Sequence, residues 1–432
     1  MNWADPRDNF VTGPITPVGL SASDEYVTTH AKSQAILKSF QALGANTVRM
    51  GINTSTVSGS WWNSYTAAFD AASDLGMNVI LAPWLQNGLT GDTDTFYQMW
   101  DVVIDKYRGN SHVYFEIMNE PWGYPASQEA DVAAAWLAHY PDVPRGRVLV
   151  PGSGASQDLC TVGADSRLSG TLLSIHKYSV FGESHPDATA WANNFKSALC
   201  GYGSRAVLTE FGAPMTTGVN YNGPREGNNN VSYLYALTDT VRELQMGSLL
   251  WVGVKEANQS QGPGPCAEAS CALTSLAGNG ANISLDVNNQ SALNRVRYGW
   301  GEDSTGAILA VGSNKCLDVT GGSRANDAAV GIWSCNGGTN QAWTHTSENQ
   351  LTVYSGSKCL DAFDNQTNPG TPVKIYDCTG GANQQWVLNP DGTIAGVQSG
   401  LCMDVPRGST ADGSTIELWE CNGGSNQKWR LG

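Results

Sequence analysis

Three copies of one pattern, forty-three residues apart, restrict the fold of this chain more than any other feature of its sequence. They run from Lys315-Cys-Leu-Asp318 to Asn340-Gln-Ala-Trp343, from Lys358-Cys-Leu-Asp361 to Asn383-Gln-Gln-Trp386, and from Leu401-Cys-Met-Asp404 to Asn426-Gln-Lys-Trp429. One such unit cannot enclose a core, so three are expected to close around a pseudo-threefold axis and bury their tryptophans there. Cys316 and Cys335, Cys359 and Cys378, and Cys402 and Cys421 are each nineteen residues apart. No C-x-x-C is present, so the series is a disulfide framework rather than a metal site. Of the other four cysteines, Cys160 is paired with Cys200 and Cys266 with Cys271, the latter closing a short loop. An oxidising compartment follows, and a secreted protein is expected.

Ahead of the repeat, short apolar strands alternate with helical segments. The strands fall at Ile15 to Leu20, Thr47 to Met50, Asn78 to Ala82, Val113 to Met118, Val148 to Val150, Leu172 to His176, Ala206 to Glu210 and Ser248 to Val252. Between the first two, Ile36, Leu37, Phe40 and Leu43 recur at helical spacing and Gly44 ends the helix. Eight strands separated by helices make an α/β fold, a (β/α)8 barrel, followed by the all-β repeat. The boundary is placed at 302/303, giving domains 1–302 and 303–432.

Barrel chemistry sits at the C-terminal strand ends. Those ends carry Arg49, Trp84, Asn119, Glu120, His176, Tyr178, Glu210 and Trp251. Singly, each has an ordinary explanation: a rim ion pair for Arg49, satisfied core groups for His176 and Tyr178, a core cap for Trp251. Together they point to a site. In Asn119-Glu120-Pro121-Trp122 and Thr209-Glu210-Phe211-Gly212, two glutamates stand at strand ends on opposite sides of one barrel, the equipment for glycosidic bond cleavage. Glu210 would attack the anomeric carbon, its ionised form favoured by Arg49 and the Tyr178 hydroxyl. Glu120 would donate a proton and then accept one. Trp61, Trp62, Trp84, Trp122, Tyr124 and Trp251 offer flat faces for sugar rings, some of them core.

Composition removes other classes. A net charge of −15 argues against nucleic acid and against an anionic membrane surface. No apolar run approaches membrane-spanning length, and Met1 ahead of a polar Asn-Trp-Ala-Asp looks like the start of a mature form. There is no G-x-S-x-G, no phosphate-binding glycine loop and no H-E-x-x-H, so no cofactor and no catalytic metal are expected.

The barrel resembles glycoside hydrolase family 5, on Val48-Arg49, Asn119-Glu120-Pro121, His176-Lys-Tyr178, Thr209-Glu210-Phe211-Gly212 and Trp251. The resemblance implies that Glu120 is the acid/base and Glu210 the nucleophile. It implies that Asn119 bonds the sugar 2-hydroxyl, that Arg49 and Tyr178 orient the nucleophile, and that Trp251 lies below the reacting sugar. Two departures touch the sugar subsites: Ala82-Pro83-Trp84 stands where many members carry a His, and Lys255 lies one residue early. The repeat resembles the ricin-B-type β-trefoil, carbohydrate-binding module family 13. That resemblance implies sugar contacts by Asp318, Trp333, Asn336, Asn340 and Gln341 in the first lobe. It implies Asp361, Tyr376, Asn383 and Gln384 in the second, where Thr379 replaces an Asn. In the third it implies Asp404, Trp419, Asn422, Asn426 and Gln427.

The expectation is a secreted, monomeric, retaining endo-β-glycanase with polysaccharide as substrate and sugars on the trefoil. The two departures and a galactose-type trefoil favour β-1,6-galactan, as in bacterial endo-β-1,6-galactanases, which the barrel–trefoil pairing resembles. Cellulose-type β-1,4-glucan comes next and chitosan third. The rival from another class is a lectin-like protein with a silent barrel.

Overall fold

The computed structural model describes residues 1–8, 11–85, 93–179, 183–221, 227–257, 270–278, 280–301, 304–346, 348–389 and 391–431. They form two compact units, Met1–Val219 with Ala236–Trp300, and Asn220–Tyr235 with Gly301–Gly432.

The first unit is built on a parallel seven-stranded sheet in sequential order: β1 (Thr47–Ile52), β2 (Asn78–Pro83), β3 (Val113–Glu116), β4 (Val148–Pro151), β5 (Leu172–Tyr178), β6 (Ala206–Gly212) and β7 (Gly247–Leu250). These strands are Val-, Ile- and Leu-rich and buried on both faces, as helix-covered parallel strands must be. The helix Tyr26–Ala42 precedes β1, and helices such as Trp62–Asp74 and Thr93–Tyr107 lie between the strands. The strand expected at Ile15 to Leu20 is not formed. The N-terminal residues take its place: Trp3 N–H donates to Arg49 O (2.9 Å), Arg49 N–H to Met1 O (2.9 Å), and Asn2 N–H to Leu250 O (2.9 Å). Asn2 thus bridges β1 and β7 and nearly closes the barrel. Ile15 to Leu20 failed as a strand because Pro14, Pro17 and Gly19 interrupt it, while its Ile15 and Val18 side chains are still buried.

The second unit carries the repeat as short antiparallel strands, fourteen of them among the described residues. Its core contains matching layers: Leu317, Leu360 and Met403; Ile332, Ile375 and Leu418; Trp343, Trp386 and Trp429. Each tryptophan donates its indole N–H to the carbonyl of one of these layers, Leu317 (2.8 Å), Leu360 (3.0 Å) and Met403 (3.1 Å). The lobes are joined in a ring by equivalent bridges, Ala329 to Lys374, Pro372 to Glu417, and Thr415 to Gly331. The disulfides Cys316–Cys335, Cys359–Cys378 and Cys402–Cys421 close as expected, as does Cys160–Cys200 in the barrel unit. The Cys266–Cys271 pairing involves a position outside the described residues.

Candidate active site

The strand ends converge on Arg49, which is fully buried on β1. Its Nη1 donates to Glu210 Oε1 (2.6 Å) and Asn2 Oδ1 (3.0 Å), its Nη2 to Asn119 Oδ1 (2.6 Å), and its Nε to Glu116 Oε2 (2.5 Å). Burial opposes a charge here, but the carboxylates of Glu116 and Glu210 outweigh it and hold the guanidinium above its ordinary range. Glu116 and Asn2 were not singled out in the sequence. Glu116 is a fully buried acid inside the apolar run of β3, and that contrast was its only signal. Its second oxygen accepts from Ser174 Oγ (2.5 Å). Asn2 could not be found without the barrel closure, since nothing local marks it.

Glu210 is aimed by an irregularity. Ile175 pairs with Leu208, but His176 pairs with Glu210, so Thr209 is an extra residue in β6. Such a bulge turns the following side chain, a device common beside active sites. Glu210 Oε2 then accepts from the Tyr178 hydroxyl (2.8 Å) while Arg49 holds Oε1. Glu120 stands just past β3 at φ 38°, a left-handed conformation uncommon for a residue with a side chain. Its Oε1 lies 2.9 Å from His176 Nδ1. Burial pulls the His176 imidazole towards neutrality, but the charge of Glu210 and the bond to Glu120 push its pKa up overall. Its other nitrogen is buried without a hydrogen-bond partner among the described residues, 4.0 Å from Glu116.

Donor atoms of Glu120, His176 and Glu210 lie within 4.8 Å of one another. Geometry alone would let these three ligate a cation, yet Arg49, Tyr178 and the imidazole already engage the carboxylate oxygens. The set Asp158, Cys160 and Cys200 is spent on a disulfide.

Trp84 and Trp251 pack edge-on at 5.6 Å, with Tyr178 against them, so one aromatic wall flanks the carboxylates. The wall depends on Gly51, where a Cβ would come within 2.8 Å of the Trp84 ring. Trp122 is 55% exposed two residues beyond Glu120 and joins none of these hydrogen bonds among the described residues. Trp61 and Trp62 both pack on Tyr65 at the start of the helix Trp62–Asp74, and the Trp61 indole N–H donates to Ile15 O (3.1 Å). Lys255 is turned to the carbonyls of Glu256 and Ala257.

In the trefoil the three aspartates use one oxygen alike. Oδ2 of Asp318 accepts from Asn340 and Gln341 (both 2.8 Å), that of Asp361 from Asn383 (2.9 Å) and Gln384 (2.8 Å), and that of Asp404 from Asn426 (2.9 Å) and Gln427 (2.7 Å). Gln341, Gln384 and Gln427 are buried and their Oε1 atoms accept from the backbones of Asn336, Thr379 and Asn422. These amides are therefore scaffold as much as contact surface. Trp333, Tyr376 and Trp419 are exposed beside them.

Two family models match the chain: cellulase (glycosyl hydrolase family 5) over residues 11–253, and the ricin-type β-trefoil lectin domain over 304–429. Among solved structures, an endo-β-1,4-glucanase from Xanthomonas axonopodis pv. citri is 16% identical, covering 69% of this chain and 98% of its own at a TM-score of 0.49. The designed threefold-symmetric protein ThreeFoil is 35% identical, covering 29% and 96% at 0.28. The agglutinin of Abrus precatorius is 28% identical over 31% of this chain, which spans 49% of the agglutinin, at 0.28. With its barrel matched over more than half of the whole length, the chain belongs to glycosyl hydrolase family 5, a glycoside hydrolase that also carries a ricin-type β-trefoil lectin domain.

Proposed function

We propose that the barrel is a retaining endo-β-glycanase with Glu210 as nucleophile and Glu120 as acid/base. One observation carries this: an oxygen of Glu120 and an oxygen of Glu210 lie within 4.8 Å. Retaining pairs stand about 5–5.5 Å apart, whereas inverting pairs leave about 6.5–9.5 Å for a water. Glu210, fixed at both oxygens, attacks the anomeric carbon as Glu120 protonates the departing oxygen. Glu120 then takes a proton from the water that cleaves the glycosyl ester. Arg49 engages Asn119 through Oδ1, which leaves the Asn119 amide N–H for the sugar 2-hydroxyl, a contact that strengthens in the transition state. The first product's anomer, followed by NMR, tests this; an inverted product rejects it.

For substrate we take β-1,6-linked galactan, supported by the apolar Trp84 where family members carry a histidine, by the inward-turned Lys255, and by the galactose-type trefoil, which fits a family 13 module. The second reading is β-1,4-glucan, favoured by the cellulase description of the matching family. Release of oligosaccharides from galactan, cellulose-type glucan and chitosan, compared side by side, decides between them. No release from any would favour the silent-barrel lectin. The disulfides support extracellular action. A monomer is expected in sedimentation.

A further inference from the structure

The three lobes repeat the aspartate, the aromatic and the amide pair, but not the residue that faces the aspartate across its hairpin. Asp318 pairs with Gly331, Asp361 with Lys374, and Asp404 with Glu417. Directly opposed residues share a face of an antiparallel pair. Trp333, Tyr376 and Trp419 lie two residues further along the same strands, hence on that face too. The opposed position therefore borders any ring that lies on the aromatic.

In the first lobe only glycine fits, because a Cβ at 331 would come within 2.5 Å of the Ser414 carbonyl oxygen where the third lobe's strand crosses. The first lobe is thus uncharged at this point. In the third, Glu417 stands beside Asp404, which together with burial holds the Glu417 carboxyl above its usual range, against Arg407. In the second, the Lys374 ammonium lies 3.5 Å from the centre of the Phe363 ring and makes no ion pair among the described residues. Thr320 and Pro406 stand at the Phe363 position of the other lobes, so the cation and its aromatic seat belong to the second lobe alone.

We propose that the second lobe is a site for an acidic sugar, a hexuronic acid residue whose carboxylate is met by Lys374 while its ring lies on Tyr376. Asp361 has its Oδ2 filled by Asn383 and Gln384 and keeps Oδ1 for a sugar hydroxyl. Phe363 holds the ammonium by a cation–π contact, so little ordering is required when the carboxylate arrives. The chain's net charge of −15 opposes a polyanion at long range. Screening confines that repulsion to about 8 Å at physiological salt, whereas the lysine acts at contact. The proposal rests on the sugar-binding reading of the trefoil.

The test uses the full chain carrying Trp333→Ala and Trp419→Ala, exposed positions that leave the second lobe intact. Calorimetric titration with methyl β-D-glucuronide and methyl β-D-glucoside should show the glucuronide binding roughly tenfold tighter, the effect of one charge-assisted hydrogen bond. The advantage should shrink in high salt, disappear in Lys374→Gln with neutral-sugar affinity unchanged, and persist in Lys374→Arg. Tyr376→Ala should abolish binding of both, which excludes the barrel as the source. Equal affinity for the two glycosides, or a Lys374→Gln variant of unchanged melting temperature and unchanged selectivity, overturns this inference and leaves the trefoil a neutral lectin. Failure of the parent chain, with three intact lobes, to bind either glycoside or any neutral polysaccharide overturns the sugar-binding reading and the inference with it.

Discussion

Glu116 is fully buried, yet it shares Arg49 with Glu210, the proposed nucleophile. Removing one partner of a buried ion pair costs about 3–5 kcal/mol because the other is left uncompensated. Glu116→Gln should destabilise the fold by that order, read as a lower denaturation midpoint, and reduce kcat, since Arg49 loses its tether. An unchanged midpoint with unchanged kcat would show the pair to be incidental. Of the two proposed catalytic acids, Glu210→Ala should abolish turnover. Glu120→Ala should lose about 10²–10⁴-fold on polysaccharide and far less on aryl glycosides with very good leaving groups, which need little acid help. Equal losses on both substrates would mean that the roles are misassigned. Glu129, on the helix that follows Glu120, is 2% exposed, and burial pushes its pKa up to about 7 despite the opposing contribution of the Gly154 N–H. Unfolded, it titrates near 4.3. The folded state alone keeps the proton between those values, so this share of stability is full below about 4.3 and is lost as the pH rises through 7. Glu129→Gln should therefore stabilise the protein at pH 8, by at most about 4 kcal/mol, and make no difference at pH 4. Parallel stability–pH curves for parent and variant would contradict the assignment.

Elements decide where these residues point. The bulge at Thr209 puts Glu210 opposite His176, and the pairing of the N-terminus with β1 brings Asn2 to Arg49. β1 contributes twice, through Arg49 and through the bare Gly51 beneath Trp84. Gly51→Ala should push the indole aside, cost about 1–3 kcal/mol through overpacking, and raise KM more than it lowers kcat, because the wall moves and the carboxylates do not. A variant with parent KM and parent melting temperature would show that Trp84 yields freely. In the strands themselves, the apolar run and the strand-end acids were legible by inspection. The bulge was not, because an extra residue in β6 is defined only against β5 and β7.

On the proposed reading one cleaving site and several binding sites act on the same polymer, and weak contacts on one polymer add through effective concentration. Replacing Trp333, Tyr376 and Trp419 together by alanine should remove most retention on insoluble polysaccharide and leave turnover of short soluble oligosaccharides at the parent rate. Undiminished retention by the folded triple variant would mean that the trefoil does not anchor the enzyme. Aspartate replacements are a poorer probe here, since Asp318, Asp361 and Asp404 also hold buried glutamines.

The forty-three-residue period, the cysteine spacing and the strand-end glutamates were determined by the sequence alone, because repeats, disulfide series and strand ends are properties of order along the chain. Seven of eight barrel strands were legible for the same reason, each being an apolar run bounded by helices. The eighth was not. A one-residue bridge at Asn2 has no periodicity, and only closure of the sheet reveals the edges of β1 and β7 that it joins. Glu116 under Arg49 and Lys374 opposite Asp361 were likewise decided by the tertiary structure. Each role depends on a partner far away in sequence or across a hairpin, and register and burial, not residue order, bring those partners together.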